Sequence, residues 1–308
     1  MKTAVLIPCY NEAKTIEKVV TDFKRVLPHA DIYVYDNNST DGTDKIAKKA
    51  GAIVKYEYNQ GKGNVVRLMF RQIEADCYIM VDGDDTYPAE PAKEFEKLIL
   101  NGKADMVIGD RLSSTYFEEN DRLFHNTGNK LVRKFINIFF KSNLNDIMTG
   151  MRGFSYNFVK SFPISSKEFE IETEMSIFAL INNFKIKEIP VEYRDRIEGS
   201  ESKLNTYKDG YKVMKMIATL IRDERPLFFF SLITLILLII AGIYFFPILF
   251  KYFSKGYVLK IPTLLTISTV VIVATIIFFV GIILHVLKKQ HANNLEHHLL
   301  LLNEINKK

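Results

Sequence analysis

Short apolar runs alternate with longer segments of helical period along the first hundred or so residues of the chain. The short runs are rich in β-branched and aromatic residues, and most of them end in a polar loop. This alternation predicts an α/β fold, a mostly parallel sheet with helices on both faces. The predicted strands are 4–7, 32–35, 52–56, 78–81 and 106–108, and the predicted helices are 13–26, 41–50, 64–74 and 91–100.

Two long apolar segments follow near the C-terminus. Residues 227–250 and 261–287 contain no Asp, Glu, Lys or Arg over 24 and 27 positions. About 20 apolar residues in an α-helix cross the roughly 30 Å hydrocarbon core of a bilayer, so we predict two transmembrane helices. The segment 251–260 between them is short, and the pair should therefore form a hairpin with both ends on one side of the membrane.

Basic residues flank this predicted hairpin. The outer flanks carry Arg222, Arg225, Lys288 and Lys289, whereas the connecting turn carries three lysines. Because Lys and Arg are enriched at the cytoplasmic ends of membrane helices, we expect both termini on the cytoplasmic side of the cell membrane.

Two other segments place apolar residues at helical spacing with basic residues between them. Segment 204–226 runs into the first predicted span, and we interpret it as a juxtamembrane amphipathic helix in the membrane interface. Segment 129–141 fits either an interfacial helix or an ordinary half-buried one. Residues 288–308 are expected to form a helical tail that either frays or self-associates. In the second case the chain would form a homo-oligomer. The remaining chain, 1–203, is then the α/β domain.

The charge balance and the cysteines exclude several classes of partner. The 41 basic and 36 acidic side chains leave a formal charge of only +5, without the concentrated basic surface typical of nucleic-acid binding. Cys9 and Cys77 each lie in an apolar run and lack metal-ligand spacing. We therefore expect no nucleic acid, no zinc site and no disulfide framework, but two buried thiols in a reducing compartment.

Four polar loops follow predicted strands directly, at residues 8–12, 36–39, 59–63 and 82–85. In open α/β sheets, ligands bind beyond the carboxyl ends of the strands. The four loops should therefore converge on one crevice.

The last of these loops carries paired carboxylates. Asp82 and Asp84 follow an apolar strand, and Gly83 between them allows close approach. Mg²⁺ and Mn²⁺ prefer oxygen ligands and often bridge carboxylates to substrate phosphates, so we predict a divalent metal site here. Asp85 is either a third ligand or faces solvent. The alternative for the whole loop is an acidic turn.

The other loops contain candidates for nucleotide binding. Two glycines surround Lys62 just before a helix, an arrangement in which backbone N–H groups and an ammonium can meet a diphosphate. Asp36 suits hydrogen bonding to a nucleoside, although it also suits a turn. A helix-start turn is likewise the alternative for the lysine loop. The loop after the first strand supplies further candidates for the nucleotide sugar: Pro8, Tyr10, Asn11 and Glu12.

Together these motifs resemble family 2 glycosyltransferases of the GT-A fold, which is a Rossmann-like α/β fold. The segments 5–12, 36–43, 61–63 and 82–84 carry this resemblance. Later motifs are similar to the branch that acts on polyprenyl phosphates, which includes dolichol-phosphate mannose synthase and bacterial undecaprenyl-phosphate hexose transferases. They are Asp146-x-x-Thr149-Gly150-x-Arg152-Gly153-Phe154, Phe169-Glu170-Ile171-Glu172, Tyr193-Arg194-x-Arg196 and Ser202-Lys203-Leu204. Thr86 departs from the pattern, since many relatives carry Gln there as a further metal ligand.

The resemblance implies an inverting transfer of a hexose from a nucleotide diphosphate sugar to a polyprenyl phosphate. A phosphate monoester is largely dianionic near neutral pH, with a second pKa of about 6, so it can attack without a general base. Cationic side chains must then hold the acceptor phosphate. Arg196 and Lys203 match the family motif for this role, with Ser202 beside them, and Arg111 and Arg152 are further candidates. For Arg196 the alternative is a surface salt bridge.

The resemblance also favours particular substrates. UDP-glucose and UDP-N-acetylglucosamine are the favoured donors and undecaprenyl phosphate the favoured acceptor, with GDP-mannose as an alternative donor. The need for a cytosolic nucleotide sugar further supports a cytoplasmic catalytic domain. A polysaccharide synthase is the nearest alternative enzyme, but the chain contains no Trp for the Gln-x-x-Arg-Trp motif of that class. A membrane-tethered scaffold without turnover is the alternative of a different kind.

Overall fold

The computed structural model describes residues 1–113, 133–163, 171–194, 219, 222–258 and 260–305, with side chains described to Leu302. The strands are β1 (Thr3–Cys9), β2 (Asp31–Asp36), β3 (Ile53–Tyr56), β4 (Cys77–Met80), β5 (Met106–Asp110), β6 (Arg152–Ser155) and β7 (Ile186–Pro190). The helices are α1 (Ile16–Val26), α2 (Thr43–Lys49), α3 (Lys62–Gln72), α4 (Ala92–Leu100), α5 (133–140), α6 (Tyr156–Ser161), α7 (Ile171–Ile181), α8 (Pro226–Lys255) and α9 (Ile261–Ile305).

The seven strands form one sheet in the order β3-β2-β1-β4-β6-β5-β7. All neighbouring pairs are parallel except those of β6, which runs antiparallel to both β4 and β5. The carboxyl ends of the parallel strands and the amino end of β6 therefore lie at the same edge of the sheet. Every loop that leaves or enters a strand at this edge is a candidate for the functional site.

Alternate residues of a strand point to opposite faces of the sheet, and the two faces pack against different helices. Ile79 of β4 belongs to a buried cluster with Phe23 of α1 and Phe95 of α4. On the other face, Tyr78 and Phe154 pack around Phe70 of α3, with ring centroids 6.4 and 5.7 Å from it. Helices thus cover both faces, which confirms the predicted fold class.

The predicted strands all exist, with bounds shifted by one or two residues. Two further strands and two short helices were not predicted: β6, β7, α6 and α7. They lie in the part of the sequence where no clear hydrophobic period was recognised. Because β6 is antiparallel, its existence changes which residues reach the functional edge of the sheet.

Helices α8 and α9 are both long and apolar enough to cross a membrane, with mean hydropathy values of 2.7 and 3.0 over an 18-residue stretch of each. They pack as an antiparallel hairpin, in which Thr234 donates a hydrogen bond to the backbone oxygen of Ala274 at 3.2 Å. The ammonium of Lys288 lies 2.6 Å from the Glu224 carboxylate, so the outer flanks of the two helices meet. The two helices thus form a hairpin in this structure, and α9 continues without interruption into segment 288–305.

The chain divides into two compact units, Met1–Thr206 with Leu301–Lys308, and Tyr207–Leu300. Several predictions lie outside the described residues. They are the acceptor residues Arg196, Ser202 and Lys203 and nearly all of the juxtamembrane segment 204–226.

Candidate active site

The four polar loops meet at the carboxyl edge of the sheet, as expected, and hydrogen bonds join them in series. The amide of Asn11 donates to Ser39 Oγ at 2.9 Å, which links the loops after β1 and β2. The side-chain amide of Asn37 donates to the backbone oxygen of Asn59 at 2.9 Å, which links the loops after β2 and β3. Thr15, just after the first loop, donates to the backbone oxygen of Gly83 at 2.6 Å and closes the series.

The loop after β1 is shaped by its backbone. Pro8 lies in β1 opposite Tyr35 of β2. Asn11 has a left-handed conformation with φ of 55°, which Asn tolerates better than most residues. The amide of Glu12 donates to Thr43 Oγ1 at 2.9 Å, and Tyr10 is exposed. These residues lie at the carboxyl end of β1, where the sequence placed them.

Asp82 and Asp84 differ in their surroundings. Asp84 is buried, and its Oδ1 accepts a hydrogen bond from Thr86 Oγ1 at 2.7 Å. The side chain of Asp82 keeps 27% of its surface exposed. A Cβ at Gly83 would lie 2.7 Å from Cys9 Sγ, so only glycine lets this loop pack onto β1. Asp85 points elsewhere, since its carboxylate lies 2.6 Å from the ammonium of Lys18.

Lys62 lies between two carboxylates. Its Nζ lies 2.5 Å from Asp82 Oδ1 and 2.5 Å from Glu172 Oε1 at the start of α7. Burial by itself would lower the pKa of Lys62, but Asp82 and Glu172 outweigh it and raise the pKa above its ordinary value. Burial raises the pKa of Glu172, and Lys62 offsets this only in part. The sequence singled out Lys62 but gave Glu172 no role.

Asp36 lies at the end of β2 and is buried. Its Oδ2 accepts a hydrogen bond from the amide of Ser39 at 2.9 Å, whereas its buried Oδ1 has no hydrogen-bond partner among the described residues. A buried carboxylate oxygen without a donor is costly, so such an atom suits a donor supplied by a ligand. This geometry fits the expected contact with a nucleoside.

The loop before β6 lies against Asp82, a contact that the sequence did not predict. Gly150 lies so close to Asp82 that a Cβ at this position would overlap Asp82 Oδ2. The backbone N–H of Gly150 donates to Tyr87 Oη at 3.0 Å, and Thr149 Oγ1 lies 3.3 Å from the same oxygen. Burial raises the pKa of Tyr87 well above its ordinary value, so the phenol stays protonated. This loop therefore fixes one side of the Asp82 carboxylate.

Arg152 does not occupy the position expected of an acceptor-phosphate ligand. Its side chain is fully buried at the start of β6, where it donates to the backbone oxygens of Ile147 and Thr149 and to Ser176 Oγ. Burial lowers the pKa of Arg152 to about 10, which still leaves the guanidinium charged at neutral pH. This burial has a simple cause. Strand β6 lies inside the sheet, between β4 and β5, so its first side chain points into the core. Arg152 instead holds the loop that carries Gly150.

Arg111, the other further candidate for the acceptor phosphate, pairs with a buried carboxylate. Its Nε donates to Asp146 Oδ2 at 2.7 Å and its Nη2 to Asp146 Oδ1 at 3.0 Å, a bidentate pair. The guanidinium lies 5.5 Å from the centre of the Tyr193 ring. This pair joins Arg111 to the loop before β6.

The segment after β7 leads back to the paired aspartates. The amide of Arg194 donates to the backbone oxygen of Thr86 at 2.9 Å, and its Nη1 lies 3.8 Å from Asp85 Oδ1. Arg196 follows two residues later, outside the described residues. Arg194 thus lies beside the loop that carries the paired aspartates.

The residues present fit a divalent metal bound together with a diphosphate. Asp82 and Asp84 offer two hard carboxylates, and no group of three His, Cys, Asp or Glu side chains suited to a metal occurs within the described ranges. A small hard cation such as Mg²⁺ is usually held by one or two carboxylates together with substrate phosphates and water. Two aspartates are therefore sufficient when the donor supplies the remaining oxygens.

Comparisons with known proteins agree with this arrangement. The chain matches the family "Glycosyl transferase family 2" over residues 4–162. Glycosyltransferase AglJ of Haloferax volcanii is 33% identical over 228 residues, which cover 74% of this chain and 74% of the relative. A dolichyl-phosphate hexose transferase of the same organism is 29% identical over 222 residues, which cover 72% of this chain and 95% of the relative. The chain is similar in fold to a solved structure of Mycobacterium tuberculosis glucosyl-3-phosphoglycerate synthase with Mn²⁺, UDP and glucosyl-3-phosphoglycerate. The TM-score is 0.56 and the identity 18%, and the match covers 71% of this chain and 78% of that one.

Proposed function

Since this chain belongs to glycosyl transferase family 2 and is a glycosyltransferase of the GT-A fold, we propose that it transfers a hexose from a nucleotide diphosphate sugar to a polyprenyl phosphate. Glucose or N-acetylglucosamine from a UDP-sugar and undecaprenyl phosphate are the favoured substrates. The reaction inverts the anomeric centre and depends on Mg²⁺ or Mn²⁺. Its catalytic domain, residues 1–203, faces the cytoplasm.

One observation above all supports this proposal: the paired aspartates, Lys62 and Asp36 lie on hydrogen-bonded loops at the same edge of the sheet, and Asp36 Oδ1 has no hydrogen-bond partner among the described residues. Asp36 would bind the nucleoside, and Lys62 would bind the diphosphate. Asp82 and Asp84 would hold a divalent metal, which supplies Lewis-acid stabilisation of the departing nucleotide diphosphate. The relative that transfers hexose to dolichyl phosphate and the neighbour solved with Mn²⁺ and UDP point to the same substrates and cofactor.

The acceptor needs binding rather than activation. Its phosphate is already largely dianionic near neutral pH, because a phosphate monoester has a second pKa of about 6. Cationic side chains must bring this anion to the anomeric carbon against the charge of the donor. Arg196, Ser202 and Lys203 would do so, and the contact between Arg194 and Thr86 supports their entry beside the metal loop. The new bond joins an acceptor phosphate oxygen to the sugar, and the nucleotide diphosphate leaves from the opposite face.

The C-terminal region would place this reaction at the bilayer surface. Helices α8 and α9 form the membrane anchor, segment 204–226 lies in the interface, and residues 288–308 form a cytoplasmic tail. The polyprenyl chain stays in the hydrocarbon while its phosphate meets the soluble donor.

The proposal is tested by incubating membranes that contain the protein with undecaprenyl phosphate and radiolabelled nucleotide sugars, one at a time. We expect one donor to yield a labelled lipid. The label should disappear with a chelator and return with added Mn²⁺ or Mg²⁺. It should also fall at least 100-fold in Asp84→Ala. A missing metal ligand removes stabilisation of the leaving group, an effect on the order of 10²-fold or more.

Two results would contradict the proposal. Labelled lipid that forms equally well in Asp84→Ala or with chelator excludes the metal mechanism. Label that enters only a polymer, or no product from any donor in the wild-type protein, excludes the lipid-phosphate transfer. Asp76→Ala is the matched control, since Asp76 lies at the opposite edge of the sheet and pairs with the backbone of Lys2.

A further inference from the structure

Lys62 forms an ion pair with Asp82, one of the two carboxylates that a metal would need. Its ammonium lies 2.5 Å from Asp82 Oδ1, and its side chain is 9% exposed. A divalent cation on Asp82 would therefore meet a lysine charge already in place, and two cations in so confined a site repel each other. A metal that binds alone must displace this lysine from Asp82. When a diphosphate binds together with the metal, the diphosphate offers the lysine a new anionic partner.

Glu172 gives Lys62 a second anchor that does not belong to the predicted metal site. Its Oε1 also lies 2.5 Å from the lysine Nζ, and only 5% of its side chain is exposed. Glu172 starts α7, whose buried face packs in the core, so this carboxylate is fixed by the fold. The lysine can release Asp82 and still remain paired.

On the basis of the proposed function, we infer that Lys62 is an exchangeable cation that occupies Asp82 until metal and donor bind, and that Glu172 is the positioning residue that holds it during the exchange. In the empty site Lys62 neutralises Asp82. When nucleotide diphosphate and metal enter together, the ammonium moves its contact from Asp82 to the diphosphate while Glu172 keeps hold of it. No covalent bond forms or breaks.

This exchange makes metal and nucleotide bind cooperatively. Each ligand alone leaves a charge conflict: metal alone faces the lysine, and diphosphate alone faces Asp82, Asp84 and Glu172. Together they satisfy every charged group. By linkage, the factor by which metal tightens nucleotide binding equals the factor by which nucleotide tightens metal binding.

The test is isothermal titration of the purified full-length protein in detergent with Mn²⁺ alone, UDP alone, and UDP at saturating Mn²⁺. In the wild-type protein we expect Mn²⁺ to tighten UDP binding at least about tenfold, within the usual range of coupling between sites. Lys62→Met should tighten Mn²⁺ binding measured alone several-fold, weaken UDP binding at saturating Mn²⁺, and reduce the coupling factor towards one.

Further variants separate this role from a merely structural one. Glu172→Gln should reduce the coupling without tightening Mn²⁺ alone, because Lys62 then depends on Asp82. The double variant Lys62→Met/Glu172→Gln should match Lys62→Met, since Glu172 acts only through the lysine, and it removes the buried charge that the single variant leaves unpaired. Lys18→Met is the matched control, because Lys18 is a half-exposed lysine of α1 that pairs with Asp85, the residue after the paired aspartates. Its coupling factor should equal that of the wild type.

An unchanged coupling factor in both Lys62→Met and the double variant, or weaker binding of Mn²⁺ alone in both, would overturn the inference and leave the proposed function standing. Failure of the wild-type protein to bind UDP or GDP in the presence of Mn²⁺ would overturn the proposed function and the inference together.

Discussion

Glycine at position 150 determines how closely the loop before β6 approaches the Asp82 carboxylate. Its backbone N–H is held by Tyr87, so the loop has little freedom to retreat. A side chain at this position would overlap Asp82 Oδ2. The contact explains why a small residue is needed beside the paired aspartates.

Gly150→Ala should therefore impair catalysis while the protein still folds. The methyl group pushes Asp82 from its position, and misplacement of a catalytic group by about 1 Å can cost on the order of 10²-fold in rate. We expect at least a tenfold fall in kcat/KM for the donor in the membrane assay, with a normal size-exclusion profile in detergent.

Gly242→Ala provides the control for that experiment. It makes the same chemical change inside α8, where the new Cβ would lie 3.6 Å from the Phe246 ring, an ordinary contact. Its activity should stay within about twofold of the wild type, since alanine is favoured over glycine in a helix. Full activity in Gly150→Ala would show that the close approach to Asp82 has no catalytic consequence.

At the scale of secondary-structure elements, β6 has a larger influence on the site than its four residues suggest. It is antiparallel between β4 and β5, so the loop before it lies beside the loop after β4. Arg152 at its start binds the backbone of that loop and Ser176 of α7. One buried guanidinium thus joins the loop beside Asp82 to the helix that carries Glu172.

Arg152→Met should destabilise the domain by about 2 to 4 kcal/mol, because it leaves buried carbonyl oxygens without donors at roughly 1 to 3 kcal/mol each. The measurement is the midpoint of thermal unfolding in detergent, which we expect to fall by several degrees. Arg25→Met is the control, since the Arg25 side chain is itself 61% exposed and its described ion pairs are with Asp22 and Glu90, and its midpoint should not change. Equal midpoints for Arg152→Met and the wild type would contradict the assigned structural role.

At the scale of the whole molecule, the α8–α9 hairpin and the α/β domain follow different physical rules. The α/β domain buries its apolar residues inside the sheet and helices, whereas α8 and α9 expose theirs along most of their length. Such an exposed apolar surface suits a lipid environment and not water. The two native cysteines are both buried, which makes engineered cysteines useful reporters of membrane orientation.

Labelling with a membrane-impermeant maleimide tests the proposed orientation in intact cells. Tyr257→Cys in the exposed turn between α8 and α9 should be labelled from outside, whereas Asn294→Cys in the tail should be labelled only after permeabilisation. The wild-type protein is the control and should take up little label. Labelling of Asn294→Cys in intact cells would place the termini outside and contradict a cytoplasmic catalytic domain.

Local sequence patterns determined most of the framework. The first five strands and the two apolar helices were predictable because each has a continuous apolar signature, with a polar loop or charged flank at its end. The rule that ligands bind beyond the carboxyl ends of parallel strands then brought Asp36, Lys62, Asp82 and Asp84 together without a structure. The family resemblance supplied the expected reaction and the acceptor residues.

Tertiary structure decided what depends on contacts between distant segments. The direction of β6 placed Gly150 against Asp82, turned Arg152 into the core and paired Arg111 with Asp146. The start of α7 delivered Glu172 to a lysine 110 positions earlier in the chain. A sequence pattern reports whether a side chain is apolar or charged, but burial, pairing and the sharing of one lysine by two carboxylates are set by packing of elements that are remote in sequence.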